Sequence, residues 1–270
     1  MGTSINNRVN INSGRTTFID RAGFRDSSIY SLEAETGPWH IANPGGSTDP
    51  DFASVTLLLP MDSDFNDVSN SARTPTLLNA PTIDATEKQF GAGSGKFLKA
   101  SSQYLQFAHT ADLNFGSNDW TIEWWSYMNT GATQFSTILD KGDGGGAGAG
   151  PFWINVGPDG LGVSLDTSPP GFEFTHHLGF GGPLPVQTWS HFAVTRDGSN
   201  FRMFIDGVQV DSTTSATAMA DTSSPLKVGA RGQSGSSLYF DGFIDDLRIT
   251  NGVARYTSGF SVPTAAFPTS

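Results

Sequence analysis

Hydrophobic and polar residues alternate over short stretches of the chain, and turn residues separate these stretches. In DWTIEWWSYMN, which begins at Asp119, alternate positions form two sets: Trp120, Ile122, Trp124, Ser126 and Met128, and then Thr121, Glu123, Trp125 and Tyr127. A period of two residues is typical of a β-strand. Because both sets are rich in apolar residues, we expect one face in the core and the other face covered or used for binding.

Similar segments recur at roughly 8–12-residue spacing along the chain. They include SVTLLLPMD, GSGKFLKASSQYLQFA, PFWINVGPDGLGVSLD, WSHFAVTRDGSNFRMFIDGVQVDS and LYFDGFIDDLRITNG. The turn sequences GPDG and DGSN within them predict β-hairpins, since Gly and Asp accept the backbone angles of tight turns. No convincing amphipathic helix lies between these segments. The pattern therefore predicts an all-β fold, a two-sheet antiparallel β-sandwich.

The first fifty residues lack this pattern. They are rich in Asn, Ser, Thr, Arg and Gly, with scattered apolar residues such as Phe18, Tyr30 and Trp39. The turn-rich stretch NPGGSTDP ends at Pro50 and predicts a boundary. We therefore predict an irregular N-terminal arm over 1–50 and a β-sandwich domain over 51–270. The arm either orders against a neighbouring molecule or packs as an extension on its own domain, and both interpretations stay open.

Charge and composition limit the class of partner. The chain has 26 Asp and Glu residues against 15 Lys and Arg residues, with a formal net charge of −11 at pH 7. Such a surface repels phosphate backbones, so we expect no nucleic-acid binding. The absence of cysteine excludes disulfides, thiolate metal sites and cysteine nucleophiles. No run approaches the roughly 20 apolar residues of a membrane helix, so we expect no membrane insertion.

Five motifs follow one another in a recognisable order: GSGKFLKASSQYLQF, DWTIEWWSYM, WSHFAVTRDGSNFRMFIDGVQV, LKVGARG and FDGFIDDLRITNGVARY. Together they resemble the laminin-G-like, concanavalin-A-like jelly-roll domains of the pentraxin-related branch. The segments DPDFASVTLLLPMD and GVARYTSGFSVPTAAFP are similar to such domains in tailed-bacteriophage virion proteins. The resemblance covers 52–270 and implies a jelly roll with a C-terminal tail along it. Phe260, Val262 and Phe267 would then pack against the sandwich edge.

Acidic residues near both ends of the domain are candidate metal ligands. Asp245 and Asp246 are neighbours in a predicted strand, so their side chains are expected on opposite faces. The resemblance implies Ca²⁺ where the first and last strands meet, held by Asp62 and one of Asp245 or Asp246 with carbonyls near Gly91–Gly93. Asp67 is a further candidate ligand, because it lies in the same acidic segment as Asp62. Ca²⁺ takes six to eight oxygen ligands. The alternative is that these residues cap turns on an acidic surface.

Aromatic residues near glycine-rich loops are candidates for glycan binding. Sugar sites combine aromatic platforms with carboxylate and amide groups, and the residues with this placement are Trp125, Tyr127 and Trp153, together with Phe172 and Phe174. The alternative for each is a place in the core.

No catalytic residue is predicted. Retaining glycosidases carry two carboxylates about 5 Å apart, whereas Glu123 has no acid two residues away on its strand. His191 belongs to the fold motif, and a buried hydrogen bond is its expected role.

The resemblance implies a non-enzymatic structural protein of a phage virion, either a head decoration protein or a tail-fibre component. It would display the sandwich and bind host-surface glycans. Its arm would contact other virion proteins and sister subunits, with a trimer as the expected homo-oligomer. Assembly in the host cytoplasm and location in the virion follow from the same resemblance. The alternatives are a freestanding carbohydrate-binding protein and a polysaccharide-degrading enzyme with Glu123 as its acid.

Overall fold

The chain forms two compact units in the computed structural model, Met1–Trp39 and His40–Ser270. The structure describes residues 10–12, 15–17, 48–131, 135–142, 150–157, 160–165, 176–182, 184–231 and 238–270. In the first unit, β1 (Asn10–Asn12) pairs antiparallel with β2 (Arg15–Thr17). Most of the predicted arm, as well as Phe172 and Phe174, lies outside the described residues. No helix in the described ranges has the length and apolar character needed to cross a membrane.

The second unit is built from short strands. In chain order they are β3 (Val55–Leu59), β4 (Thr76–Leu78), β5 (Thr82–Asp84), β6 (Ser94–Phe97), β7 (Tyr104–Phe107), β8 (Trp120–Met128), β9 (Ser136–Asp140), β10 (Phe152–Gly157), β11 (Gly160–Leu165), β12 (His176–Gly181), β13 (Trp189–Asp197), β14 (Asn200–Ile205), β15 (Val208–Thr214), β16 (Leu226–Val228), β17 (Ala230–Arg231), β18 (Leu238–Tyr239) and β19 (Gly242–Asn251). Short 3-10 helices occupy Phe52–Ser54, Lys99–Ser101 and Ala111–Leu113.

The strands form two antiparallel sheets. The seven-stranded sheet has the order β12-β11-β10-β9-β16-β7-β4, and the eight-stranded sheet has the order β15-β14-β13-β8-β19-β6-β5, with β3 also paired to β19. The first and last long strands of the sandwich, β3 and β19, are therefore neighbours. The predicted all-β, two-sheet antiparallel sandwich is confirmed.

The core lies between the sheets and is filled by the inward positions of each strand. On β8, Trp120, Ile122 and Trp124 are fully buried and belong to the main apolar cluster, as the period of two predicts. Trp124 stacks on Phe192 of β13 with ring centroids 5.4 Å apart. Offset stacking of this kind adds to the free energy gained by burying apolar surface. The alternation of the sequence thus decides which face of β8 turns inward.

The C-terminal tail, residues 252–270, covers the outer face of the eight-stranded sheet. Phe267 packs with Val55 and Leu58 in a small apolar cluster. Tyr256 packs with Ala193 and Phe204 in another, against which Phe260 rests. We expected the tail against an edge of the sandwich, but its aromatic residues pack on a sheet face. The reason is that the outward positions of β3, β13 and β14 are apolar and need cover.

Candidate functional site

A buried ionic cluster occupies the outer face of the eight-stranded sheet, beneath the tail. Glu123 of β8 is 0% exposed. Its Oε1 atom accepts hydrogen bonds from Arg248, 2.9 Å from Nε and 2.7 Å from Nη2. Its Oε2 atom accepts one from the Tyr256 hydroxyl at 2.7 Å and lies 3.3 Å from His191 Nε2. Both carboxylate oxygens are therefore engaged by protein groups.

Asp49 extends this cluster to the point where the chain enters the sandwich. Its carboxylate accepts hydrogen bonds from Arg248 at 2.9 Å and from two nitrogens of Arg255 at 3.1 and 2.7 Å. Its backbone N–H donates to the Ser270 carbonyl at 2.7 Å. The entry of the chain, strand β19 and the tail are thus held together by charge-assisted hydrogen bonds.

The electrostatics of the cluster argue against proton transfer by Glu123. Burial alone would raise the pKa of Glu123, but the positive charges of Arg248 and Arg255 and the contact with His191 outweigh burial. Its pKa therefore lies well below the ordinary value. A carboxylate that stays ionised at neutral pH has no proton to donate to a leaving group, and this one is also out of reach of solvent.

The aromatic residues predicted to bind glycans do not lie together. Trp125 is 5% exposed and makes edge-to-face contacts with Phe90 at 5.5 Å and with His191 at 5.2 Å. Tyr127 is half-buried, in ring contact with neighbours from adjacent strands. Both belong to the covered outer face of the eight-stranded sheet. Trp153, in contrast, lies on β10 in the other sheet.

The two adjacent carboxylates of β19 face the same side of the sheet. Asp245 accepts hydrogen bonds from the N–H groups of Gln89 and Phe90 at 2.9 and 3.0 Å, and Asp246 accepts one from Phe267 at 2.9 Å. These partners all belong to segments that cover the outer face. The expectation of opposite faces is wrong because a β-bulge shifts the register here, with Asp246 at φ 45°.

Of the other two predicted metal ligands, Asp62 bonds to the same loop as Asp245, whereas Asp67 has separate surroundings. Asp62 accepts a hydrogen bond from the Ala92 N–H. Asp67 accepts bonds from the N–H groups of Leu58 and Ser69, both at 2.9 Å, and pairs with Arg73 at 3.2 Å. Asp67 thus organises the turn after β3.

Asp245 and Asp246 are affected by burial and by neighbouring carboxylates. Burial, and to a smaller extent the charge of Asp62, raises the pKa of Asp245 to about 6. Burial and the charge of Asp245 raise the pKa of Asp246 well above its ordinary value. Over the residues whose positions are described, no group of three His, Cys, Asp or Glu side chains is arranged to hold a metal ion.

The outer face of the seven-stranded sheet carries a row of polar and aromatic side chains. Its alternate residues, such as Ile154, Val163 and Val228, belong to the core, so the intervening positions point outward. The strand register aligns one outward residue from each of the seven strands: His177, Ser164, Trp153, Asp140, Lys227, Gln106 and Thr76.

Trp153 is the third residue of this row, between Ser164 and Asp140. Its Nε1–H donates to Thr137 Oγ1 at 2.9 Å. The Arg231 guanidinium, reaching across β9 from β17, lies 4.1 Å from the Trp153 ring centre. The ring of Phe135 stands edge-on at 6.0 Å, and this side chain is 47% exposed. We call this surface the Trp153 face, and it combines aromatic area with hydrogen-bonding and charged groups.

The charged groups beside Trp153 are partly desolvated. Lys227 Nζ lies 3.8 Å from Asp140 Oδ2 and donates to the Gly142 carbonyl at 3.1 Å. Burial lowers the pKa of Arg231, while the nearby charge of Asp140 acts against that shift. Polar groups held in a low-dielectric setting form stronger hydrogen bonds than exposed ones. The sheet therefore presents a preorganised polar surface around an indole ring.

The chain matches the family model described as the concanavalin A-like lectin/glucanases superfamily (Laminin_G_3) over residues 99–255. This match covers more than half of the chain, and the chain belongs to that family. No curated protein matches it in sequence.

Three solved structures show the same fold. The binding domain of Paraclostridial Mosquitocidal Protein 1 has 13% identity and a TM-score of 0.60 over 76% of this chain and 50% of its own. Domain 4 of AbnA, a GH43 extracellular arabinanase from Geobacillus stearothermophilus, in complex with arabinotriose, has 16% identity and a TM-score of 0.54 over 74% and 94%. Botulinum neurotoxin type C, whose cell entry is described as dependent on two ganglioside molecules, has 11% identity and a TM-score of 0.53 over 76% and 50%.

The chain spans about half the length of the toxin chains that it matches and nearly all of the arabinanase domain. At these identities the likeness concerns the fold alone.

Proposed function

We propose that this protein is a non-enzymatic carbohydrate-binding module that binds saccharides on the Trp153 face. The observation that carries the proposal is the arrangement of the half-buried Trp153, its bond to Thr137 and the Arg231 guanidinium over its ring, on the outer face of the seven-stranded sheet. Sugars are recognised by apolar contact with aromatic rings together with a few fixed polar groups. The arabinotriose complex of the AbnA domain and the ganglioside dependence of the botulinum toxin support a sugar as the ligand class.

The surroundings of Glu123 support binding without catalysis. This carboxylate is the obvious candidate acid on the eight-stranded sheet, yet it is fully buried and fixed by Arg248 and Tyr256. A catalytic carboxylate must reach the substrate.

Replacing Trp153 by alanine is expected to weaken glycan binding by about tenfold or more, because truncating a central aromatic anchor commonly costs about 2 kcal/mol. The measurement is a glycan array followed by calorimetric titration of the best oligosaccharide. Tyr127→Leu is the matched control, since it removes a half-buried aromatic from the other sheet. Equal binding by wild type and Trp153→Ala, at equal melting temperature, would refute the site. A wild type that binds no glycan would refute the function.

We propose further that the module works on a tailed-phage particle, as a head decoration protein or tail-fibre component attached through residues 1–50. The resemblance of the opening and closing segments of the sandwich to virion domains supports this setting. So does the division of the chain into Met1–Trp39 and His40–Ser270, since an attachment element is expected to fold apart from the displayed domain.

Full-length protein is expected to form a homo-oligomer, a trimer by the resemblance, whereas a fragment that begins at His40 is expected to be a folded monomer. Mass photometry of both gives their masses, and cryo-electron microscopy of particles locates the protein. The fragment begins before Asp49 because Arg248 and Arg255 need this partner. Monomeric full-length protein that no particle carries would favour a freestanding carbohydrate-binding protein.

A Ca²⁺ ion at Asp62, Asp245 and Asp246 is a proposal of its own. These carboxylates now accept backbone N–H bonds, so an ion would have to displace the segment around Gly91 that closes on Asp62. We expect about 1 mM CaCl₂ to raise the melting temperature above that of a sample with EDTA, because an ion that binds only the folded state stabilises it by mass action. Asp245→Asn should abolish the increase. An unchanged wild-type melting temperature would exclude the ion.

A further inference from the structure

Five glycines occupy neighbouring outward positions on the Trp153 side of the seven-stranded sheet. Gly157, Gly160 and Gly181 form one cross-strand row. The neighbouring row consists of Asn155, Gly162 and Gly179. They cover three adjacent strands, β10, β11 and β12. Strand spacing and rise make this area about 10 Å by 7 Å, roughly the footprint of one sugar ring. We call it the glycine floor.

Most of these glycines are not required by backbone strain. Gly160 has φ +107° and belongs to the hairpin turn. The other four have ordinary strand angles. A side chain added at Gly179 or Gly181 would meet nothing within 4 Å. Glycine in a strand interior costs stability and commonly marks a place where a ligand or another backbone approaches closely.

The floor is bordered by an aromatic ring and an amide. The Phe135 ring occupies the space above Gly157, and the Asn155 amide occupies the space above Gly162, 3.1 Å from where a β-carbon would lie. Asn155 is only 4% exposed, and its side chain makes no hydrogen bond to any residue in the described ranges. Its amide oxygen and nitrogen are not among the fully buried polar atoms without a partner, so solvent or a ligand on the floor can bond to them.

We propose that the glycine floor binds one uncharged sugar ring, which lies flat over Gly179 and Gly181, contacts Phe135 and receives hydrogen bonds from the Asn155 amide. The inference rests on the proposed carbohydrate-binding function and specifies the ligand class of one subsite. A side-chain amide offers a donor and an acceptor, which suits neighbouring sugar hydroxyls.

The charge around the floor selects against acidic sugars. Asp211 brings an ionised group against the floor, since its carboxylate accepts the Gly179 N–H at 2.8 Å. Lys227 belongs to β16, beyond β9, and the Arg231 guanidinium lies over the Trp153 ring on β10. A sugar carboxylate over Gly179 of β12 would therefore face the like charge of Asp211, with both cations on the opposite side of the floor.

The test uses full-length protein and an array of neutral oligosaccharides (arabinotriose, galactotriose, mannotriose) and acidic ones (sialyllactose, oligogalacturonate). The double variant Gly179→Val, Gly181→Val fills the open floor with side chains that strands favour. Asn155→Ala removes the amide. We expect each to reduce binding of the best neutral ligand by about tenfold or more, with a melting temperature equal to or above that of wild type. Thr82→Val, at an exposed position of β5 in the eight-stranded sheet, is the control and should bind normally.

The outcomes separate this inference from the proposed function. If wild type binds glycans and Trp153→Ala abolishes binding while the floor variants bind normally, the floor inference is refuted and the function stands. Preference for acidic over neutral ligands refutes the assigned class. A lower melting temperature for the valine variant gives the glycines a structural role, and normal binding by Asn155→Ala then refutes the subsite. Absence of any glycan binding by wild type refutes both.

Discussion

Replacing Glu123 by alanine is expected to lower the free energy of unfolding by about 3–5 kcal/mol, the usual cost of removing one partner from a buried ion pair. The substitution leaves Arg248 buried beside Asp49 alone and removes the acceptor of the Tyr256 hydroxyl. Because Tyr256 belongs to the tail, its contact with the sheet should also loosen. Equilibrium urea unfolding, followed by tryptophan fluorescence, measures the loss.

Tyr256→Phe is the matched control, since it removes one hydrogen bond and should cost only about 1–3 kcal/mol. The Glu123 effect should also depend on pH. The pKa of Glu123 is lowered in the folded state from 4.5, so its contribution is complete above that pH and declines as the pH falls below it. A cost below about 1 kcal/mol at pH 7, or one that grows on acidification, would contradict a stabilising role of the buried ionic cluster.

Replacing Phe267 by alanine is expected to cost about 3–5 kcal/mol, the range for truncating a buried phenylalanine. Phe267 is 5% exposed and packs on Val55 and Leu58. The Arg248 guanidinium lies 3.9 Å from its ring centre. The substitution therefore removes the apolar contact with the sheet and the ring that covers Arg248 of the ionic cluster. Equilibrium urea unfolding measures the change in stability.

Thr264→Ala is the control for Phe267, because this exposed tail residue is three positions away and should change stability by less than about 0.5 kcal/mol. Limited proteolysis gives a second readout, since a released tail is cleaved faster than the sandwich. If Phe267→Ala unfolds like wild type and its tail stays protected, the tail does not depend on this ring.

Local pattern was sufficient to predict the strands and their inward faces. The period of two in residues 119–129 defines β8, and its other face is covered, one of the two expected outcomes. The GPDG turn correctly predicted the hairpin of β10 and β11. These features depend on residues close in sequence, so the sequence carries their signal.

Features that depend on distant residues could not be predicted in the same way. No local pattern indicates that Arg231 of β17 reaches Trp153 of β10 across β9, because this contact depends on strand order. The bulge at Asp245 and Asp246 has no reliable sequence signal. Its one extra residue changes the side of the sheet on which the Asp246 side chain lies. The alternating glycines at 160 and 162 and at 179 and 181 were a readable signal of a bare sheet face.

The hydrogen bond between Asp49 and Ser270 places these two residues side by side. Both residues lie on the side of the eight-stranded sheet, so the sandwich domain starts and ends on the sheet opposite to the one that carries Trp153. On the proposed function, several copies attached through this side can all present the Trp153 face to the same surface. Simultaneous engagement then raises the overall avidity by about 10²–10⁴ over a single contact. On the proposed function, a sugar site that binds weakly in one copy would therefore be sufficient for adhesion by many copies.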